Sequence, residues 1–316
     1  MTYQYDILKE LTPQRHVSIL CAGLAKPDSE ALQTAARAIS GTVVVKSENQ
    51  SEIPAALFMA LRTAPQVLAI TGSSGLMSDT LGGLLALQEE GIKLPAIALL
   101  DIAGNVAAAK ALGMIGSVSQ QLTNLRLQIE RSEVPDATTA VPLLRLAQGP
   151  QLIRLGLIFA TGNYAQGLGV GFEKLFQSSA LMKLHMFAAK PEVNGQDDLA
   201  RIAPDKGGSL STYLSGMLLS ALPLPLLSRT KTRPEKPIRY LATERSRKAR
   251  MAALRAFGGQ LDRAQPFYGV HLGNAGGLSM RLPGPHRMDM TELSLDASFS
   301  ITPTQPLPLI DLAVAS

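Results

Sequence analysis

The 316-residue chain has no tryptophan, one cysteine and four histidines, and aromatic residues make up only 4% of it. Each shortage excludes something. With so few rings, platforms for stacking bases or sugars are poorly supplied, which argues against a nucleic-acid partner. The lone Cys21 cannot form an internal disulfide and fits a reducing cytoplasm. Because Cys21 ends an apolar run, a buried, unreactive thiol is expected. His16, His185, His271 and His286 have no spacing typical of a metal site, so none is assigned. There is no Gly-x-Ser-x-Gly elbow and no Gly-x-Gly-x-x-Gly fingerprint after a strand. Long hydrophobic runs are missing too. The most apolar late stretch, LSGMLLSALPLPLL (214–227), is too short to span a bilayer, and Pro223 and Pro225 break its end. The polar opening MTYQYDILKELTPQRH does not read as a signal peptide. Net charge is only +5, with 17% charged residues, a weak preference for acidic partners.

What is present is a repeating pattern. The first half alternates apolar runs with helical spacing. HVSILCAG, TVVVK, QVLAIT and AIALLD read as strands. SEALQTAARAI, SEIPAALFMALRTA (with Ser51 as N-cap and Pro54 in its first turn), SDTLGGLLALQEE, NVAAAKALG (closed by Gly113) and a segment at 119–130 read as helices. Strands that are apolar throughout, alternating with helices, predict an open α/β domain with a parallel sheet covered on both faces. Ligands of such sheets bind beyond the carboxyl ends of the strands. Residues 72–75 and 102–105 follow two strands that are neighbours in sequence.

The second half changes character. LIRLGLIFATGN, PFYGVHLG, GLSMRL and ELSLDASFSI have β patterns, and the last alternates well enough to predict one half-buried antiparallel strand. Helical insertions are predicted at 172–189 and 210–222. The division is therefore an α/β domain over residues 1–145 and a mainly β, sandwich-like domain over 146–316. GNYAQGLGVGF (162–172) is read as a structural glycine-rich turn. The segment 229–263 carries eleven Lys and Arg against Glu235, Glu244 and Asp262. It reads either as a solvated basic face or as a surface for an anionic membrane.

The stretch LAITGSSGLMSDTLGGLLAL (68–87) is a strand, a glycine turn and a helix, the architecture of many phosphate sites, yet its turn has no lysine and no acid before Asp79. It resembles the signature of the diacylglycerol kinase-like lipid kinases, Gly-Gly-Asp-Gly-Thr with a following Asn-Glu and a later Gly-Leu-Leu. Gly72, Gly75 and Gly83 match. Ser73 stands for a glycine, Ser74 for the aspartate, Leu76 for the threonine and Asp79 for the glutamate. LLDIAGNVAAAKALGM resembles the family's second segment through Gly104, Asn105 and the Ala-Leu-Gly at 111–113, with one residue extra. LSLDASFSI resembles its late Asp-Gly-Glu strand, with Asp296 matched and Ala297 and Ser298 in the other two places. The family's Asn-Pro after the first strand is replaced by CAGLAKP.

The resemblance implies a nucleotide-binding α/β domain followed by a β domain, ATP as phosphate donor with Mg²⁺ if the protein is active, and a diacylglycerol- or sphingoid-type lipid hydroxyl as acceptor. It implies nucleotide contacts at Gly72, Ser73, Ser74, Gly75, Gly104 and Asn105, and a cytoplasmic protein peripheral to the inner membrane face. Glycines and amides suffice for binding phosphate. Transfer also asks for carboxylates on Mg²⁺ and a partner for the hydroxyl proton. Serine carries no charge. With Ser74 and Ser298 in the places of acids, a catalytically impaired pseudokinase that binds nucleotide or lipid is the alternative, and Asp101 is the candidate replacement acid.

Overall fold

The computed structural model describes residues 6–9, 11–12, 14–39, 41–102, 107–169, 200–204, 209–222, 235–246, 248–249, 269–282, 284–289, 291–295 and 298–312. These group into two compact units, Met1–Val141 with Gln305–Ser316, and Pro142–Thr304.

The first unit runs α1 (Asp6–Lys9), β1 (Gln14–Ala22), α2 (Lys26–Arg37), β2 (Val43–Ser47), α3 (Ile53–Leu61), β3 (Pro65–Gly72), α4 (Ser74–Glu89), β4 (Ala96–Leu99), α5 (Ala107–Ala111) and α6 (Val118–Glu130). Its strands lie in the order β2-β1-β3-β4. They are parallel, with Leu20 opposite both Val45 and Ile70, and Ile70 opposite Leu99. Consecutive residues Ile19 and Leu20, Leu68 and Ala69, and Ile97, Ala98 and Leu99 have no exposed surface. Since neighbours on a strand point to opposite faces, both faces are covered, which is why these strands do not alternate. On the helical layers α2 packs against α6, and α3 against α4. A Cβ at Gly83 of α4 would sit 2.6 Å from Leu57 Cδ1, so this glycine serves the close approach of α4 to α3.

Local chemistry sets the helix starts. Ser117 and Gln120 form a reciprocal capping box at α6. Ser51 does not cap α3. It lies inside a 3₁₀ turn (Gln50–Glu52), with Glu52 rather than Ser51 at the position before α3, and its hydroxyl donates to Asn49 Oδ1 at 2.6 Å.

The chain passes to the second unit along β5 (Thr138–Gln148). There follow β6 (Gln151–Gly156), β7 (Ile158–Gly162), α7 (Asn163–Gly169), β8 (Ala200–Pro204), β9 (Leu210–Thr212), β10 (Leu214–Ser220), β11 (Ile238–Glu244), β12 (Val270–Ala275), β13 (Leu278–Arg281), β14 (His286–Met288), β15 (Thr291–Leu293) and β16 (Phe299–Ile310). One sheet of this unit orders β12-β11-β10-β7-β14-β15, and the other runs β16-β13-β8-β9, with β5 pairing both β16 and β6. The two sheets meet at a ring cluster: Phe159 of the first lies 5.6 Å from Phe299 of the second, and His286 packs 5.5 Å from Phe299. Burial there pushes the His286 imidazole down to about 4, so it is a neutral core ring. The last residues of β16 return to the first unit, where Leu309 pairs with Ile97 in parallel.

The α/β and mainly β architecture matches the sequence reading, with two corrections. Residues 210–222 form strands β9 and β10, not a helix. β10 sits between β7 and β11 and all seven of its residues are buried, so the run is apolar on both faces and its period cannot separate strand from helix. The ELSLDASFSI stretch is not one strand either. β15 ends at Leu293 and β16 begins at Phe299, because the first part pairs with β14 and the second with β13, in different sheets. The predicted helix at 172–189 and most of the basic segment lie outside the described residues. Of that segment, Arg245 and Lys248 are described and exposed.

Asp289 pins one corner of the second unit. Its carboxylate accepts the N–H groups of Leu157 (3.2 Å) and Ile158 (3.0 Å), and its own N–H donates to the Ile158 carbonyl at 2.7 Å. Burial nevertheless pushes its carboxyl up to about 6, outweighing those amides and nearby Arg154. An acid raised in the folded state stabilises the fold below its unfolded pKa and loses that contribution as pH rises through the folded value. Relative to the wild type, Asp289→Asn is expected to gain stability between pH 4 and pH 7, by up to about 3 kcal/mol, read from urea titrations of both proteins across that range.

Candidate functional site

In the first unit β1 continues to β2 on one side, and the chain then returns past β1 to place β3 on the other. The reversal makes the carboxyl ends of β1 and β3 the switch point, where open α/β sheets bind ligands. The register brings Ala22 opposite Gly72 there. The Ser73 N–H donates to the Ala22 carbonyl at 3.0 Å, and the Gly23 N–H to the Ser47 carbonyl at 2.8 Å. A Cβ at Gly72 would fall on the Ala22 carbonyl oxygen, so only glycine allows this approach. Gly23 has φ +63°, and a Cβ on it would lie 2.5 Å from Leu76 Cδ1 and 3.3 Å from Ser73 Oγ. The two turns are thus packed together, and Leu76, in the place of a threonine, presses an apolar side chain against the first.

Helix α4 starts at Ser74 rather than near Ser78. Ser73 is its extended N-cap (φ −64°, ψ 148°) and makes no side-chain capping bond. Ser74, Gly75 and Leu76 are therefore the first turn, whose N–H groups have no acceptor within the helix. Sequence reading missed the earlier start because glycine and serine signal a turn when they stand inside a first helical turn as well as before it. Asp79 lies more than a turn further along α4, half-buried.

Ile70 pairs with Leu99, and the Leu100 N–H donates to the Ile70 carbonyl at 2.9 Å. β4 ends at Leu99, and Asp101 follows two residues beyond it. Asp101 is buried, with its carboxylate 3.0 Å from Lys110 Nζ of α5. Gln121 of α6 fixes its backbone from both sides, accepting from the Asp101 N–H at 3.0 Å and donating to the Asp101 carbonyl at 2.9 Å. Lys110 carries no motif in the sequence. Its only signal is its place one residue before Ala-Leu-Gly.

Gly104, Asn105, Asp296 and Ala297 lie outside the described residues. Ser298 is exposed just before β16, in the second unit. Gly162 (φ +58°) ends β7, and the following residues begin α7. Cys21 is buried, and desolvation raises its thiol pKa, as expected of an unreactive core cysteine.

Whether these residues fit the groups implied by the resemblance divides cleanly. A phosphate fits: the first turn of the 16-residue helix α4 offers amides that the Ser73 side chain does not cap, together with the positive end of the helix dipole. A divalent cation does not. Among the described residues no three His, Cys, Asp or Glu side chains come together, and Asp101 is already engaged by Lys110.

With this geometry in hand, the fold has clear relatives. A protein from Bacillus anthracis str. Sterne assigned as a diacylglycerol kinase aligns at TM-score 0.64 and 13% identity, over 95% of this chain and 99% of its own. A second structure with the same assignment gives 0.64, 12%, 97% and 100%. A diacylglycerol kinase structure from the same organism gives 0.59, 11%, 95% and 98%. No family model matches the sequence, and no curated protein matches it. The chain therefore has the two-part fold of diacylglycerol kinase-like proteins.

The Gly72 turn gives the sharpest mutational test. Gly72→Ala should cost about 2 kcal/mol or more, since backbone must move to admit the methyl group. Gly149, with nothing within 4 Å of its would-be Cβ, is the control. Its alanine variant should lose only the backbone strain of its φ of +57°, about 1 kcal/mol. Urea unfolding of the two variants beside the wild type decides it.

Proposed function

We propose that this protein is a nucleotide-binding protein on a lipid-kinase fold that holds the phosphates of ATP at the first turn of α4, and that its transfer of phosphate to a lipid hydroxyl is very slow or absent. The observation that carries this reading is the start of α4 at Ser74, directly beyond the switch point, after an N-cap, Ser73, whose side chain makes no capping bond. In such a site Gly72 holds the turn against Ala22 so that α4 starts at the sheet edge, the amides of Ser74, Gly75 and Leu76 donate to the phosphate, and the dipole of α4 adds to the attraction. The described residues supply no carboxylate cluster for Mg²⁺ and no acid at the turn to take up the proton of an attacking hydroxyl.

A second reading, an active kinase for a diacylglycerol- or sphingoid-type acceptor, draws support from the fold likeness, which covers nearly the whole chain. Association with an anionic membrane belongs to this reading. It rests on the basic composition of 229–263, of which Arg245 and Lys248 are exposed.

ATP should raise the melting temperature, since a ligand at about a hundred times its Kd contributes roughly 2.7 kcal/mol. Gly75→Val should abolish the shift. No shift with millimolar ATP, ADP or GTP, with or without Mg²⁺, overturns the binding proposal. Radiolabelled ATP with diacylglycerol, sphingoid and ceramide-like acceptors in anionic vesicles then separates the two readings. Turnover on the order of 1 s⁻¹ or faster establishes the second and refutes the first.

A further inference from the structure

Charges pair across strands in two opposite ways in the second unit. On β14 and β15 Arg287 stands opposite Glu292, and the two are joined at 3.0 Å. On β13 and β8 Arg281 stands opposite Arg201. We propose that the outward face of β16, β13, β8 and β9, centred on Arg201 and Arg281, is the surface by which this protein docks on a bilayer of acidic phospholipid. Such docking rests on the membrane association of the second reading and puts it on this face rather than on 229–263. Nucleotide binding at the glycine turn does not enter.

Three observations carry it. The first is composition. Along β8 and β13 the inner residues Ala200, Ile202, Leu278 and Met280 are buried, and the alternate residues Arg201, Ala203, Ser279 and Arg281 are exposed. Exposed Ser211 of β9 continues the row opposite Arg201, and Ser279 stands opposite Ser300 of β16. The face is therefore short side chains around two arginines, and no acid stands in either row. The second is cost. Like charges directly opposite on antiparallel strands are destabilising, and among the described residues neither guanidinium has an ion-pair or hydrogen-bond partner. An anion shared between them removes the repulsion. A guanidinium grips phosphate oxygens through two parallel N–H bonds, so a headgroup phosphate suits. The third is the rim. Tyr213, two residues beyond Ser211, is 53% exposed, and its carbonyl accepts the N–H of exposed Arg245 at 2.6 Å. An amphipathic ring beside arginines matches the headgroup layer, where tyrosine is enriched. Serine and alanine between the arginines leave the guanidiniums as the tallest groups, so an extended surface can reach both. A single-stranded nucleic acid asks for several stacking rings, and one tyrosine supplies little.

The test uses the full chain and sedimentation with phosphatidylcholine vesicles, with or without phosphatidylserine. Wild type should bind only the anionic vesicles, and salt should release it. Arg201→Gln and Arg281→Gln should each weaken binding about fivefold. Arg62→Gln, which removes the same charge from an exposed position of the first unit, should not. Arg281→Glu decides the matter, because it faces Arg201 with an acid as Glu292 faces Arg287. By urea unfolding it should be at least as stable as wild type, while its binding falls further than that of Arg281→Gln, so the loss cannot be ascribed to misfolding. If anionic vesicles bind wild type and Arg281→Glu equally, or only joint neutralisation of Arg245, Arg247, Lys248 and Arg250 releases the protein, membrane association stands and the role of this face is overturned. If wild type binds neutral and anionic vesicles alike, or neither, both fall together. Binding to a single-stranded oligonucleotide that is lost in Arg281→Glu, without binding to vesicles, replaces the membrane by a nucleic acid and also overturns the proposal.

Discussion

Everything at the candidate site depends on one close approach, that of Gly72 to the carbonyl of Ala22. Two neighbouring parallel strands end there at the same level, and the Ser73 N–H closes onto the Ala22 carbonyl at 3.0 Å. A side chain at residue 72 would collide with that oxygen. With it excluded, the chain turns at once into α4, so that the helix begins at the sheet edge. The position of the helix dipole and the packing of Leu76 on Gly23 both follow from that contact.

The fold was largely legible in the sequence because the signals were physical. Unbroken apolar runs alternating with helical spacing mean a parallel sheet buried on both faces, and β1, β3 and β4 are such strands. Legibility failed where burial removes the period. β10 is buried along its whole length, so its apolar run carried no alternation to mark it as a strand. It failed again at ELSLDASFSI, whose alternation is real, although its two ends pair in different sheets. Alternation reports which face is apolar and says nothing of which partner a strand finds.

At the site, the glycines were legible and the charge was not. Gly72 and Gly75 stand out because their spacing matches a known turn. Lys110 is one lysine on a five-residue helix, and only the folded structure shows it paired with Asp101. Asp101 was legible as an acid at a strand end, but its partner was not, and the partner changes its meaning. An acid held 3.0 Å from an ammonium is a poor substitute for a metal ligand or a base, because its charge is already engaged.

A turn without acids suits the binding reading proposed above on electrostatic grounds. In a metal-using phosphate site the carboxylates and the phosphate, all negative, are held together by the cation between them. If the cation goes while the acids remain, like charges face one another at short range. If both go, the helix amides meet the phosphate without that repulsion, and the attraction that remains is the dipole of α4 and whatever fixed cation stands nearby. Serines at 73 and 74 suit the second case. Such a site keeps the binding half of phosphoryl transfer and gives up the half that depends on moving a proton and stabilising a transferred phosphoryl group. Under the proposed binding reading, glycines without acids at the turn leave the phosphate to backbone amides and the helix dipole.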